Sequence, residues 1–338
     1  MTERFCIAAA RYAGRRPRRA VMAAVLLALI SSAPAGAQSS YPSRPIQLIV
    51  PYGAGGVADV GMRILADKLS IRLKQNVVVE NRPGAGGIIA AKAAATSAPD
   101  GYTVLMTGNN NAISAALFKS LPYDILTDFA STSTVSFFDL LVVTKGGSPL
   151  KSMQDVIKAA KANPGKLNIG TINPGSTQNL AAELFRNVAG IKLTIVPFRT
   201  SADMHTALLR GDLDLMFEFF AAAHGLLADK KIVAIASTGP RRSAYLPEVP
   251  TAIESGIKNF EVESWNGISV PKGTPSAPVA ALTKAINDVL PLSDVQDKAK
   301  KLGMAMRGST PEQMTARMKA DIAKWSSVIE TAGIPKRD

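Results

Sequence analysis

The residues best suited to chemistry lie in three loops. Pro51-Tyr52-Gly53-Ala54-Gly55-Gly56 runs on to Asp59, and Asn81-Arg82-Pro83-Gly84-Ala85-Gly86-Gly87 and Asn173-Pro174-Gly175-Ser176-Thr177-Gln178 follow the same plan. Each begins where a short strand-like run ends, and each leads into a helix N-terminus. Glycine lets the backbone approach a ligand closely, and free amides at a helix start, with the helix dipole, favour an anion. That chemistry suits a carboxylate or a phosphate equally. Any one such loop reads as readily as a plain strand-to-helix turn, but three loops in both halves of one chain weigh against that.

Polar residues at other strand ends add to this set. Arg199 follows Val196-Pro197-Phe198, where its guanidinium would either pair bidentately with a ligand carboxylate or form a structural ion pair. Glu218 follows Leu215-Met216-Phe217 and would either receive a ligand ammonium or pair with Arg199. Trp265-Asn266 would line a cleft or pack a hinge.

Catalytic and cofactor signatures fail on inspection. Gly53-Ala54-Gly55-Gly56 lacks the third glycine of GxGxxG, and neither a phosphate-loop GxxxxGK[ST] nor a GxSxG elbow occurs. Ser176 has no histidine in a comparable loop. His205, among Met204, Leu208 and Leu209, reads as a packed or surface residue, as does His224 in its alanine-rich helix. With Cys6 the only cysteine and two histidines in all, the chain supplies no zinc module and no disulfide scaffold. No catalytic residue, metal or cofactor is expected.

The elements that must position these loops follow from the pattern. At 338 residues, 47% apolar and 19% charged, the chain has material for two domains and too much hydrophobicity for bulk disorder. Residues 1–37 pair an arginine-rich head with the apolar run AVMAAVLLALI and end in Ala35-Gly36-Ala37, the plan of a cleaved secretory signal. Its removal takes away six basic residues and one acid, lowering the net charge from +13 to +8. It also removes Cys6, which suits an oxidising periplasm. The remaining charge forms no basic run, so nucleic acid is not expected as a partner.

Beyond the signal, Ile46–Val50, Val77–Val79 and Tyr102–Met106 read as strands separated by helices, the third strand ending in Thr107-Gly108-Asn109-Asn110-Asn111, and Asp59 reads as the cap of the first helix. The grammar restarts after Leu150, where Ser152 and Asp155 form a capping box. Strand-like runs follow at Leu167–Gly170, Leu193–Phe198, Asp214–Phe217 and Ile232–Ala236. Thr310-Pro311-Glu312-Gln313 opens a final helix. The alternation implies parallel α/β sheets. Residues 38–140 plus 264–338 would form one lobe and 141–263 the other. The passages Leu140–Thr144 and Trp265–Val270 would cross between them as a hinge beside a ligand cleft.

The motifs resemble those of a known family. Tyr41-Pro42-Ser43-Arg44-Pro45-Ile46 and Ile49-Val50-Pro51-Tyr52-Gly53-Ala54-Gly55-Gly56 resemble the mature start of Bug-type receptors, the periplasmic solute-binding proteins of tripartite tricarboxylate transporters. Val79-Glu80-Asn81-Arg82-Pro83-Gly84-Ala85-Gly86-Gly87 is the most specific match. Ala98-Pro99-Asp100-Gly101-Tyr102, Leu121-Pro122-Tyr123-Asp124, Ala162-Asn163-Pro164-Gly165-Lys166-Leu167, Leu246-Pro247-Glu248-Val249-Pro250-Thr251 and Ala332-Gly333-Ile334 continue it in order.

The resemblance implies a two-lobe type II periplasmic-binding (Venus-flytrap) fold. It further implies a ligand carboxylate held by backbone amides and a membrane permease as partner. Carried over, it nominates Gly53, Ala54, Gly55, Gly56, Asp59, Gly86, Thr107, Ser176, Thr177 and Arg199 as ligand-binding, beside Glu218 from the strand-end argument. The chain departs from the family at Ala58, where a threonine is frequent, at Phe198-Arg199-Thr200 in place of Tyr-Lys-Gly, and at Glu218 in place of Asp. These changes reshape the second-lobe side of the pocket. The expectation is a monomeric periplasmic receptor for a small carboxylate (di- or tricarboxylate, acidic amino acid or aromatic acid), with signalling as the main alternative and an exported enzyme behind it.

Overall fold

Three β-branched runs at the start of the chain pair side by side, because their apolar side chains on both faces need helices to cover them. The computed structural model describes residues 41–338, so the expected signal segment lies outside the described residues. Strands β1 (Ile46–Val50), β2 (Val77–Asn81) and β3 (Thr103–Gly108) pair in parallel in the order β2-β1-β3. Helices α1 (Val57–Leu73), α2 (Ile88–Ala95) and α3 (Asn109–Leu117) follow them in turn.

A second unit repeats the plan. It comprises α4 (Met153–Ala162), β5 (Asn168–Ile172), α5 (Thr177–Val188), β6 (Thr194–Phe198), α6 (Ser201–Arg210), β7 (Leu215–Phe219), α7 (Phe220–Ala228) and β8 (Ile232–Ser237). Here β5 lies between β6 and β7, parallel to both. The predicted Ser152 cap forms, its hydroxyl accepting from the Asp155 amide at 3.2 Å.

The units join through β4 (Phe129–Lys145) and β9 (Glu263–Pro271). The first half of β4 pairs with β9 and with the short β10 (Ala305–Met306), and its second half pairs with β7 and β8, all antiparallel. The overall order is β2-β1-β3-β9-β4-β7-β5-β6. The sheet is therefore mixed rather than purely parallel, because both crossing passages run as strands through its centre. The tail adds α8 (Ser276–Val289), α9 (Ser293–Lys301) and α10 (Pro311–Thr331). Helices α8 and α9 pack on α1, while α10 packs on α3, β4 and α5. Helix α10 starts at the predicted capping box of Thr310 and Gln313.

Two local expectations are corrected. Asn109–Asn111 is the first turn of α3 and not the end of a strand. Its Asn111 side chain accepts from the Gly108 amide at 3.0 Å, so local side-chain bonding starts the helix where the asparagine run suggested a loop. Asp59 does not cap α1. Gly56 holds that position, and Asp59 sits inside the first turn.

Packing of large side chains fixes each unit. Phe185, Phe217 and Phe260 meet at ring separations of 5.2 to 6.2 Å, and all three are fully buried. Each such side chain contributes ~1.5–3 kcal/mol by leaving water. Trp325 of α10 is buried against α3 and donates its indole N–H to Asn109 Oδ1 at 2.7 Å. That bond holds the start of α3 in place.

Candidate functional site

All three loops identified in the sequence open onto one cavity of about 790 Å³. It is walled on one side by the starts of α1 and α2 and by one flank of α3 (Asn110, Ile113, Ser114 and Leu117), and on the other by the start of α5. Three helix N-termini thus converge, each presenting amides that have no partner within the helix. No acidic side chain lines the cavity among the described residues, and Arg337 is the one lining residue with a formal charge. Part of the wall is apolar: Ile113, Leu117, Phe118, Ile172 and an edge-to-face pair, Phe138 and Phe219, at 5.3 Å. Such a site combines a region for a negative group with a dry surface for a hydrocarbon body.

The second loop is shaped by necessity. Gly84, Ala85, Gly86 and Gly87 all have positive φ, and a side chain on Gly87 would come within 2.7 Å of Asn110 Nδ2. Gly86 lines the cavity, and its carbonyl accepts from Ser114 Oγ at 3.4 Å. Asn110 also lines the cavity; its Oδ1 is buried and has no hydrogen-bond partner among the described residues.

The structure sorts the residues nominated from sequence. Gly53, Gly86, Ser176 and Thr177 line the cavity. Ala54, Gly55 and Gly56 form the exposed outside of the first loop. Asp59 is buried beneath that loop and accepts from the Gly55 amide (2.8 Å), Arg63 Nε (2.9 Å) and Asn81 Nδ2 (2.7 Å). Burial pushes its carboxyl up, but these hydrogen bonds outweigh it and hold the group below the usual carboxylate range. Asp59 shapes the loop and does not face the cavity.

Thr107 is fully buried in β3, its hydroxyl 2.9 Å from that of Ser269 on β9. Arg199 is exposed outside the cavity and forms no ion pair with the described residues. Glu218 lies within β7 with 1% exposure. Its partners are His205 Nε2 (3.1 Å) and the Phe219 amide (2.8 Å), and it does not pair with Arg199.

Several lining residues escaped the sequence reading. Asn110 and Ser114 belong to the helix taken for a strand end, and Phe138 and Phe219 lie in strands. Arg337 reaches the site from the far end of the chain, donating from Nη2 to the Pro174 carbonyl at 2.8 Å across 163 residues of sequence. Two further contacts join α3 to the loop leading into α5. Asn109 Nδ2 donates to Thr177 Oγ1 at 2.9 Å, and Leu117 packs on Gly175, where an added side chain would approach it to 2.6 Å.

Behind the cavity, the crossing strands present their other face. Phe138 and Ser264 are opposite one another in the β4–β9 register and line the cavity; the neighbouring pair, Asp139 and Glu263, turns to the far side. Glu263 is held by Arg307 and by Arg317 at 3.0 Å. Asp139 forms no ion pair with the described residues. Burial, followed by repulsion from Glu263, pushes its carboxyl up to about 7 against the pull of Arg307 and Arg241.

Comparison with known proteins places this arrangement. The family model described as "Tripartite tricarboxylate transporter family receptor" matches residues 61–334. Protein BugT of Bordetella pertussis is 34% identical over 304 residues, covering 89% of this chain and 93% of BugT. A solved structure of an R. palustris protein with adipate superposes with a TM-score of 0.76 at 32% identity, covering 87% of this chain and 99% of that one. MatC of Rhodopseudomonas palustris with bound malate gives 0.71 at 28% identity, covering 86% and 100%. The fold is that of a two-lobe periplasmic binding protein, and the chain belongs to the receptors of the tripartite tricarboxylate transporter family.

Proposed function

We propose that the chain captures a small carboxylate in the cavity between its lobes and hands it to a membrane permease. The observation that carries this reading is the convergence of three helix N-termini on a cavity with no acidic side chain in its wall among the described residues. The adipate and malate bound by the two R. palustris relatives support it. One lobe comprises residues 38–140 with 264–338, the other 141–263, and β4 and β9 are the crossings. Gly53, Gly86, Ser176 and Thr177 touch the ligand directly, while Asp59 holds the first loop in its receptive shape.

Residues 1–37 direct export and are removed, so the mature protein works as a monomer in the periplasm. It is a receptor and not an enzyme: the ligand leaves unaltered, and binding shifts the protein towards the closed state through contacts made only there. Thermal unfolding against a panel of carboxylates tests the reading. A ligand at 100 times its dissociation constant adds ~2.7 kcal/mol of stability, a rise of several degrees. A protein isolated free of ligand whose midpoint stays flat across di-, tri- and aromatic carboxylates and acidic amino acids overturns it.

A further inference from the structure

Arg337 is exposed but not loosely held. Its amide donates to the Leu117 carbonyl at 2.9 Å, and its own carbonyl accepts from the Lys119 amide at 2.8 Å, so the backbone is pinned alongside the end of α3. From there the guanidinium enters the cavity wall and spends one N–H on the Pro174 carbonyl. The neighbouring carboxylate, Asp338, is taken by Lys119 at 2.7 Å, and Arg337 has no carboxylate partner among the described residues. A fixed guanidinium with unused donors and no counter-charge lines a cavity that otherwise offers only backbone amides, neutral polar groups and hydrocarbon.

A monoacid seated on the helix N-termini would leave this cation uncompensated. A diacid would satisfy both ends, its hydrocarbon middle lying on Ile113, Leu117 and the Phe138–Phe219 pair. Resting on the carboxylate reading above, we infer that Arg337 is the specificity-determining residue of the cavity. It receives the distal carboxylate of a diacid with the donors left over from its bond to Pro174. A guanidinium–carboxylate pair formed at a partly dry site is strong and geometrically selective.

The test is calorimetric titration of ligand-free protein with diacids and the monoacids of matching skeleton: adipate with hexanoate, pimelate with heptanoate, terephthalate with benzoate. The wild type is expected to bind a diacid at least about tenfold more tightly than its monoacid. Arg337→Gln should lower diacid affinity by about tenfold and leave the monoacid within about twofold, and Arg337→Lys should recover part of the loss. Diacid affinity should weaken with added salt in the wild type and far less in Arg337→Gln. If Arg337→Gln weakens both acids equally, the residue is a latch alone and the specificity assignment fails while the carboxylate reading stands. Equal wild-type affinity for the two acids of a pair has the same consequence. If the wild type binds no acid of either series, the carboxylate reading falls and takes this inference with it.

Discussion

Single residues here do different work from that suggested by their position in the sequence. Asp59, Thr107 and Glu218 all sit near loops that face the cavity, yet each is buried and bonded to the protein's own groups. Asp139 is the opposite case, an acid on a crossing strand whose burial and whose neighbour Glu263 keep it protonated up to about pH 7. Its ordinary value is 3.8, so between about pH 4 and 7 the folded protein holds a proton that the unfolded chain has released. Stability should therefore fall as the pH rises through that window, and the whole cost is present above it. Asp139→Asn should remove this dependence. Denaturant unfolding at pH 5 and pH 8 is expected to show the variant gaining on the wild type as pH rises, and an equal difference at the two values would refute the assignment.

At the level of elements, the glycine loops are shaped by contacts from neighbouring segments. Gly87 has φ +93°, and an added Cβ would meet Asn110 Nδ2 at 2.7 Å and Pro51 Cβ at 3.2 Å. Gly53 has no such restriction, and a Cβ there meets nothing within 4 Å. Gly87→Ala is expected to cost at least ~1 kcal/mol through the left-handed backbone alone, with the collision added. Gly53→Ala should leave the denaturation midpoint within experimental error. Equal midpoints for the two variants would show that the second loop relaxes without cost. The loops were legible in the sequence because glycine clusters between strand and helix patterns have a local cause. The start of α3 was not, because a run of three asparagines serves a turn or a helix cap equally well and only the bond to Gly108 decides.

For the whole molecule, closure is the property that matters. Asn109–Thr177, Leu117–Gly175 and Arg337–Pro174 each join the wall formed by α3 and the chain beside it to the loop leading into α5. In the proposed mechanism these contacts would form on closure, with β4 and β9 the strands about which the lobes open. X-ray scattering on protein stripped of ligand is expected to give a larger radius of gyration than the same sample with a bound carboxylate. Identical curves with and without a ligand of proven affinity would rule out closure as the mechanism.

The amino-acid sequence by itself determined the βα alternation, the capping boxes at Ser152 and Thr310 and the three anion-favouring loops, because each depends on residues within a few positions of one another. It also carried the family, through motifs spread along the chain. The tertiary structure alone decided that Leu140–Thr144 and Trp265–Val270 are central antiparallel strands, since an apolar run pairs with whatever strand the fold brings alongside. It alone decided which loop atoms face the cavity. Arg337 is the clearest case: a basic residue near the end of the chain has no local signature of binding, and only the pairing of its backbone with Leu117 and Lys119 brings its charge to the cavity.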